Sequence, residues 1–181
     1  MISQSKKHRS GFTLVELMIT LLVLAIILGI ALPSFSALIE KLAIRSTTES
    51  IVEALRTARV TAVEEQTDIK VCGLGANNTC SNADWDKGLI ILRNSNSETL
   101  YLIRFKESIL VKPLNQANIT FNNQGWTNFF ANSIFVCKAS DDNKNAYRIV
   151  VSRSGRIRTE SYDETPGGWK DSNNNTLSCN S

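Results

Sequence analysis

The chain opens with a long apolar stretch. Between Phe12 and Leu32 the only charged side chain is Glu16. At ~1.5 Å rise per residue these positions would form a helix of about 31 Å, close to the thickness of the apolar core of a bilayer. The pattern therefore predicts a transmembrane helix over residues 12–32. A carboxylate within such a segment is costly in lipid unless a partner neutralises it, so Glu16 is a candidate functional residue.

The apolar spacing continues beyond Pro33. This spacing predicts that Pro33 kinks the first helix without ending it, and that an amphipathic helix continues over residues 33–66. The second half of this helix is expected to pack on a sheet. Its apolar positions recur at steps of three and four residues or multiples of them, and they are Leu38, Leu42, Ile51, Leu55, Ala58 and Ala62.

The rest of the chain is rich in short runs of β-forming residues. Asn94–Ser97 and Arg153–Gly155 are typical of hairpin turns. Parallel strands would need crossover helices, for which there is little room, so residues 67–159 are expected to form a mostly antiparallel sheet in an α+β fold. Residues 160–181 are predicted to be an irregular tail. The predicted strands are Ile69–Leu74, Leu89–Arg93, Thr99–Phe105, Ile109–Val111, Ile119–Asn122, Ile134–Lys138, Tyr147–Arg153 and Arg156–Thr159.

The net charge of +3 is accounted for by the first residues. Lys6, Lys7 and Arg9 precede the apolar stretch, so the remaining side chains are close to neutral overall. Overall charge therefore does not indicate a partner. A basic segment ahead of a membrane helix lies on the cytoplasmic side, which places the rest of the chain in the periplasm or outside the cell.

Four cysteines follow the apolar stretch. An even count in an exported domain indicates two disulfides, and three pairings are possible. We favour Cys72–Cys80, which closes a short loop rich in Gly and Asn, and Cys137–Cys179, which would hold the tail. The cysteine spacings fit no zinc pattern and the only histidine is His8. We therefore expect no metal site.

The segment Gly11-Phe12-Thr-Leu-Val-Glu16 resembles the prepilin signature of type IV pilins and type II secretion pseudopilins. The resemblance implies that residues 1–11 are a leader, that a prepilin peptidase cuts between Gly11 and Phe12, and that Phe12 is then N-methylated. It also implies that Glu16 neutralises the terminal amine of a neighbouring pilin subunit. Burial of the pair is tolerable, whereas burial of a lone charge is not. The alternative is an ordinary signal peptide or anchor, which would carry a small-residue cleavage site after its apolar stretch.

The β-rich segment resembles the FimT/GspH branch of minor pilins and pseudopilins. The resemblance implies a type IV pilin-like fold, in which a long kinked helix packs on a β-rich head. It also implies a single-pass inner-membrane protein with a periplasmic head that later enters a surface pilus. The residues that carry it are Trp85-Asp-Lys-Gly88 followed by Leu-Ile-Ile91, Ile119-Thr-Phe121 with Gly125, Ile134-Phe-Val-Cys137, Ile149-Val-Val-Ser152 and Gly155-Arg156-Ile157-Arg158.

Candidates for catalysis are weak. Processing at Gly11 would remove the only histidine and with it the usual Ser/His and Cys/His arrangements. The carboxylate pairs Asp141-Asp142 and Asp163-Glu164 lie in loop-like segments. No glycine pattern is typical of a phosphate-binding loop. We expect neither enzymatic activity nor a cofactor.

The C-terminal hairpin is the candidate binding site. Its positive residues lie close together, with no acidic residue from Asn143 to Thr159. Arginine binds phosphate through two hydrogen bonds, and Gly155 suits a tight turn. Arg156 and Arg158 would share one strand face, roughly 6.6 Å apart at ~3.3 Å per residue. The proposed DNA-binding residues are Arg156 and Arg158, with support from Arg148, Arg153, Lys144 and Lys112.

This hairpin has alternative interpretations. In one the arginines solubilise a sheet edge, and in another they pair with acids of a neighbouring pilin. The Gly155–Arg158 pattern resembles the motif through which FimT-type minor pilins are thought to bind DNA, and this implies sequence-independent DNA capture in natural transformation together with a part in pilus assembly. The alternative is a type II secretion pseudopilin with a structural role at the pseudopilus tip. The aromatic segment Trp126-Thr-Asn-Phe129-Phe130 would stack on bases, or more simply serve core packing or a subunit contact.

Overall fold

The computed structural model describes residues 12–114, 118–129, 131–138, 145–162, 168–170, 177 and 179. The chain divides into two compact units, Met1–Glu40 and Lys41–Ser181. One helix, α1 (Leu14–Glu64), contributes to both. It runs without interruption through Pro33, as the apolar spacing predicts. We call the second unit the head.

In the first unit the apolar side chains of α1 are exposed from Leu14 through Leu28. Thr13 precedes the helix, and its hydroxyl oxygen accepts a hydrogen bond from the backbone N–H of Glu16 at 3.2 Å, which satisfies one of the free donors at the helix start. In the described part of the chain, no helix is both long enough and apolar enough to cross a membrane. The transmembrane assignment of residues 12–32 stays a prediction.

In the head, α1 buries one face. The buried positions Ile44, Ile51, Leu55, Ala58 and Ala62 follow the helical period, and all but the first were expected from the sequence. The charged residues between them remain largely at the surface. The amphipathic pattern therefore places this part of the helix on the sheets.

Antiparallel strands form two sheets beside the helix. In the first sheet the order is β2-β1-β3-β4, and β6 pairs with β1 on the edge opposite β3. In the second sheet the order is β5-β7-β8-β9. The strands are β1 (Ile69–Leu74), β2 (Cys80–Ser81), β3 (Gly88–Arg93), β4 (Thr99–Arg104), β5 (Ile109–Pro113), β6 (Asn118–Phe121), β7 (Ala131–Lys138), β8 (Tyr147–Ser152) and β9 (Ile157–Ser161).

Each predicted strand has a counterpart in these sheets; β1 has the predicted bounds, and the ends of the others are shifted. The largest shift is in β7, which begins at Ala131 rather than Ile134. The two-residue strand β2 was not predicted, because two residues are too few to show alternation. It pairs with β1 beside the Cys72–Cys80 disulfide.

Alternation along the strands separates three clusters of buried side chains. One of them lies on the first sheet, on the face turned away from α1, and consists of Cys72, Leu74, Ile90 and Leu92. One face of both sheets packs with α1 and carries residues such as Val71, Ile91 and Ile149. The opposite face of the second sheet is covered by the tail, where Trp169 stacks on Phe135 with 5.1 Å between ring centroids. The predicted irregular tail begins later than expected, because β9 includes Glu160 and Ser161. Beyond Tyr162 the tail is described only at Gly168–Lys170, Leu177 and Cys179.

Both favoured disulfides are present. Cys72–Cys80 closes the loop between β1 and β2, and Cys137–Cys179 joins β7 to the tail. All four cysteines are paired.

A charged network ties the end of α1 to the hairpin of β3 and β4. Arg93 donates two hydrogen bonds to Glu65, at 2.6 and 2.8 Å, and also pairs with Glu98. The hydrogen bonds from Arg93 hold the pKa of both Glu65 and Glu98 below its usual range. The network fixes the helix end against the first sheet.

Candidate nucleic-acid interface

The turn between β8 and β9 presents Arg156. Gly155 has a φ of +72°, a left-handed conformation that favours glycine. The backbone N–H of Ser152 donates to the carbonyl of Arg156 at 3.0 Å, and the Ser152 hydroxyl accepts the backbone N–H of Arg156 at 3.1 Å. These bonds hold the Arg156 backbone in place and leave its side chain exposed.

Arg59 of α1 anchors this turn to the helix. Its Nε donates to the carbonyl of Gly125 at 3.1 Å, and its Nη2 donates to the carbonyl of Ser154 at 3.3 Å. A Cβ on Gly155 would lie 2.0 Å from the Gly125 carbonyl oxygen and 2.7 Å from Arg59 Nε. Two glycines therefore let the hairpin, the loop after β6 and the helix approach closely.

The close approach forms an arginine pocket. It is a shallow surface pocket of about 220 Å³, lined by Arg56, Arg59, Val60, Gly155, Arg156 and Ile157. Within the described residues, neither Arg56 nor Arg156 forms an ion pair. Three guanidinium groups around an open pocket make a site suited to an anion such as phosphate.

Nothing in the sequence alone marks Arg56 or Arg59 as functional residues. Arginines between apolar positions of an amphipathic helix are usually a solvated face. Their spacing of three residues places them on neighbouring positions of one face. Only the packing of the hairpin against that face gives them a shared role with Arg156.

Glu160 engages two of the predicted arginines. Arg148 lies directly opposite it in the sheet, and Arg148 Nε donates to Glu160 Oε2 at 3.0 Å. Arg158 Nε lies 3.2 Å from the other carboxylate oxygen. The Arg148 side chain is only 16% exposed and its guanidinium lies 6.0 Å from the centroid of Trp169, whereas the Arg158 side chain is 60% exposed. Arg148 therefore packs against the tail, whereas the guanidinium of Arg158 remains accessible to solvent.

The other predicted positive residues lie in different places. Arg153 is exposed in the turn, and its carbonyl accepts the backbone N–H of Thr127 at 2.9 Å. Lys112 lies on β5, which is separated from β9 by β7 and β8. At ~4.8 Å between neighbouring strands, β5 and β9 are about 14 Å apart. Lys144 lies outside the described residues.

The residues of the aromatic segment 126–130 differ in their exposure to solvent. Phe129 is partly buried against the main core, whereas Trp126 is 50% exposed. Phe130 lies outside the described residues. Core packing therefore does not account for Trp126.

The predicted processing and assembly residues belong to the first unit. Phe12 and Glu16 are exposed, and Gly11 lies outside the described residues. The carboxylate pairs Asp141-Asp142 and Asp163-Glu164 lie outside them as well. Among the residues that are described, no three His, Cys, Asp or Glu side chains come together in a way that would hold a metal ion.

Two family profiles match the chain. Residues 6–32 match the prokaryotic N-terminal methylation motif. Residues 47–155, more than half of the chain, match type II transport protein GspH. The chain belongs to the type II transport protein GspH family. With the N-terminal motif, this identifies a minor pilin or pseudopilin of the kind that is anchored in a membrane and associates with other pilin subunits.

Solved structures resemble this GspH-family chain. Two crystal forms of the type IV minor pilin FimU of Pseudomonas aeruginosa have TM-scores of 0.55 and 0.53 at 22% and 20% identity, covering 68% and 69% of this chain and 98% and 93% of FimU. The minor pseudopilin EpsH of the Vibrio cholerae type 2 secretion system has a TM-score of 0.51 at 11% identity, covering 66% of this chain and 97% of EpsH. These likenesses confirm the predicted pilin-like α+β fold. A search of curated protein sequences found no significant match.

Proposed function

We propose that the protein is a minor type IV pilin whose head binds DNA without sequence specificity and contributes to DNA uptake in natural transformation. The observation that carries the proposal is the arginine pocket, where Arg56 and Arg59 of the helix meet Arg156 of the hairpin. Arg153 adds positive charge in the turn. Arg158 adds a further, largely exposed guanidinium on the face of β9 opposite Ile157, where it also pairs with Glu160. Phosphate contacts of this kind give affinity without sequence information.

Sequence-independent binding fits the architecture. The described head has one long helix, and its apolar face is buried against the sheets. DNA would therefore meet arginines rather than a helix inserted in the major groove. Four phosphate contacts would give a log–log salt slope of roughly −3.6, at about −0.9 for each contact.

The N-terminal segment supplies the assembly part of the proposal. Cleavage between Gly11 and Phe12 by a prepilin peptidase would create a new terminal amine, which is then methylated. Glu16 would neutralise the amine of a neighbouring subunit. The exposed apolar side chains of α1 between Leu14 and Leu28 would be covered by the inner membrane before assembly and by other subunits in the pilus.

DNA binding by the full chain in a non-ionic detergent tests the proposal. Labelled duplexes of unrelated sequence are titrated at about 50 mM and about 200 mM salt. We expect binding that is indifferent to sequence, weaker at the higher salt and lost in the variant Arg156→Gln/Arg158→Gln.

A variant with the same change of charge on the other sheet is the control. Arg104→Gln/Lys106→Gln removes two positive charges from the surface near the end of β4. If this control weakens binding as much as the hairpin variant, the head binds DNA through diffuse charge and the arginine pocket is not the site. Absence of binding by the unaltered chain at the lower salt would refute the proposal.

The second candidate is a type II secretion pseudopilin with a structural role at the pseudopilus tip. The match to the type II transport protein GspH profile over residues 47–155 favours it. The hairpin would then contact another pseudopilin or exported cargo. Deletion of the gene distinguishes the two, because loss of transformation with normal protein secretion supports the pilin, and the reverse supports the pseudopilin.

A further inference from the structure

Trp126 differs from the other tryptophans of the head. Trp126 is 50% exposed, whereas Trp85 and Trp169 are 1% and 0% exposed. The loop that carries it, residues 122–126, follows β6. A large aromatic ring that stays half exposed lacks the hydrophobic stabilisation that most tryptophans gain from burial.

The backbone of Trp126 is held rigidly. Asn122 Oδ1 accepts the backbone N–H of Trp126 at 2.9 Å and that of Gln124 at 3.0 Å. The backbone N–H of Asn122 in turn donates to the carbonyl of Trp126 at 2.9 Å. A tryptophan on such a loop loses little conformational entropy when it binds a ligand.

The residues on both sides of Trp126 form hydrogen bonds with Arg59 of α1 and with Arg153 of the hairpin. The preceding residue, Gly125, accepts a hydrogen bond from Arg59. The following residue, Thr127, donates its backbone N–H to the carbonyl of Arg153. The exposed ring is therefore carried on a loop that adjoins the arginine pocket.

We propose that Trp126 is a stacking platform for an unpaired nucleobase, and that the ligand this head prefers is single-stranded DNA or the frayed end of a duplex. The inference rests on the proposed DNA-binding function and extends it to the class of DNA. Proteins that bind single strands without sequence preference combine a positive surface with aromatic rings on which bases stack. In the interior of a duplex the base faces are covered by their neighbours, so the ring gains little there.

Affinities for two forms of DNA test the inference. The full chain in a non-ionic detergent is titrated with labelled oligo(dT) of about 16 nucleotides and with a blunt duplex of equal length. We expect Trp126→Ala to weaken oligo(dT) binding about tenfold and duplex binding less than twofold. Trp126→Phe keeps a ring and should restore most of the affinity. The matched control is Tyr101→Ala, which removes another exposed aromatic side chain, on β4.

Tryptophan fluorescence gives an independent readout. Because Trp85 and Trp169 are buried, quenching by oligo(dT) reports mainly on Trp126. We expect quenching in the unaltered chain and its loss in Trp126→Ala.

The outcomes separate this inference from the proposed function. Duplex binding that depends on Arg156, combined with unchanged oligo(dT) binding by Trp126→Ala, overturns the stacking role and leaves the function standing. Trp126 would then be a contact for another pilin subunit. Absence of binding to either DNA at low salt overturns both.

Discussion

At the scale of single residues, Gly155 is a tightly constrained position of the arginine pocket. Its φ is positive, and the space where a Cβ would lie is occupied by the Gly125 carbonyl oxygen and Arg59 Nε. The position thus has two separate reasons to be glycine. Both concern the distance between the hairpin and α1.

The variant Gly155→Ala should unfold more easily and bind DNA more weakly. Backbone strain alone costs about 1–3 kcal/mol, and the overlap with Gly125 would push the turn away from Arg59. Urea unfolding and DNA titration measure the two effects. Ser154→Ala in the same turn is the control and should change stability by less than about 0.5 kcal/mol. Equal stabilities of the two variants would show that the turn is not constrained as described.

Single-residue roles were only partly predictable from the sequence. The turn at Gly155 follows from a local pattern, whereas the cysteine count left three pairings open, of which the favoured one is observed. The anchoring role of Arg59 could not be predicted, because the two carbonyls that it binds belong to residues 66 and 95 positions further along the chain. Glu160 lies one residue beyond the acid-free run, and only strand pairing places it against Arg148 and Arg158.

At the scale of elements, Arg93 connects three parts of the head. Arg93 is the last residue of β3, and it bonds Glu65 just after α1 and Glu98 just before β4. This network holds the helix end and the hairpin of β3 and β4 together. Its contribution depends on both carboxylates being ionised.

Acidification should weaken this connection. The pKa of Glu65 and of Glu98 is lowered in the folded chain by Arg93. The stabilisation is therefore fully present above the ordinary value of 4.5 and is lost as the pH falls through the lowered folded-state values. Thermal unfolding of the unaltered chain and of Arg93→Gln, from about pH 7 to about pH 3, measures it. The difference in Tm should shrink below about pH 4.5, and a constant difference would contradict the prediction.

The helix and strands were more predictable than the pairing of the strands. The period of the apolar residues predicted the helix and most strand positions, because a half-buried helix or strand repeats its apolar residues within a few positions. The division into two sheets is different. It depends on contacts such as β1 with β6 and β5 with β7, which join residues far apart in the chain. The short strand β2 carries no periodic signal at all.

At the scale of the whole molecule, the tail completes the head. Trp169, Leu177 and Cys179 cover a face of the second sheet that would otherwise expose Phe135. The Cys137–Cys179 disulfide joins positions 42 residues apart, whereas Cys72–Cys80 joins positions 8 apart. Loops of such different length constrain the unfolded chain to different degrees.

Removing the longer disulfide should therefore cost more. The chain-entropy relation gives about 3.9 kcal/mol for Cys137→Ser/Cys179→Ser and about 2.5 kcal/mol for Cys72→Ser/Cys80→Ser. Urea unfolding of both variants measures the difference. The longer-loop variant should also show a red-shifted tryptophan emission, because Trp169 loses its cover. A larger loss from the shorter loop would contradict the entropic argument.

The anchoring of the hairpin by Arg59 also decides how the head would carry tension. β9 is the edge strand of its sheet, and a pull at the turn would peel its hydrogen bonds from β8 one at a time. Arg59 instead links the carbonyls of Gly125 and Ser154 to α1. Under the proposed function, a load that DNA applies at Arg156 would thus be shared between the hydrogen bonds of β9 and those that tie the turn to α1.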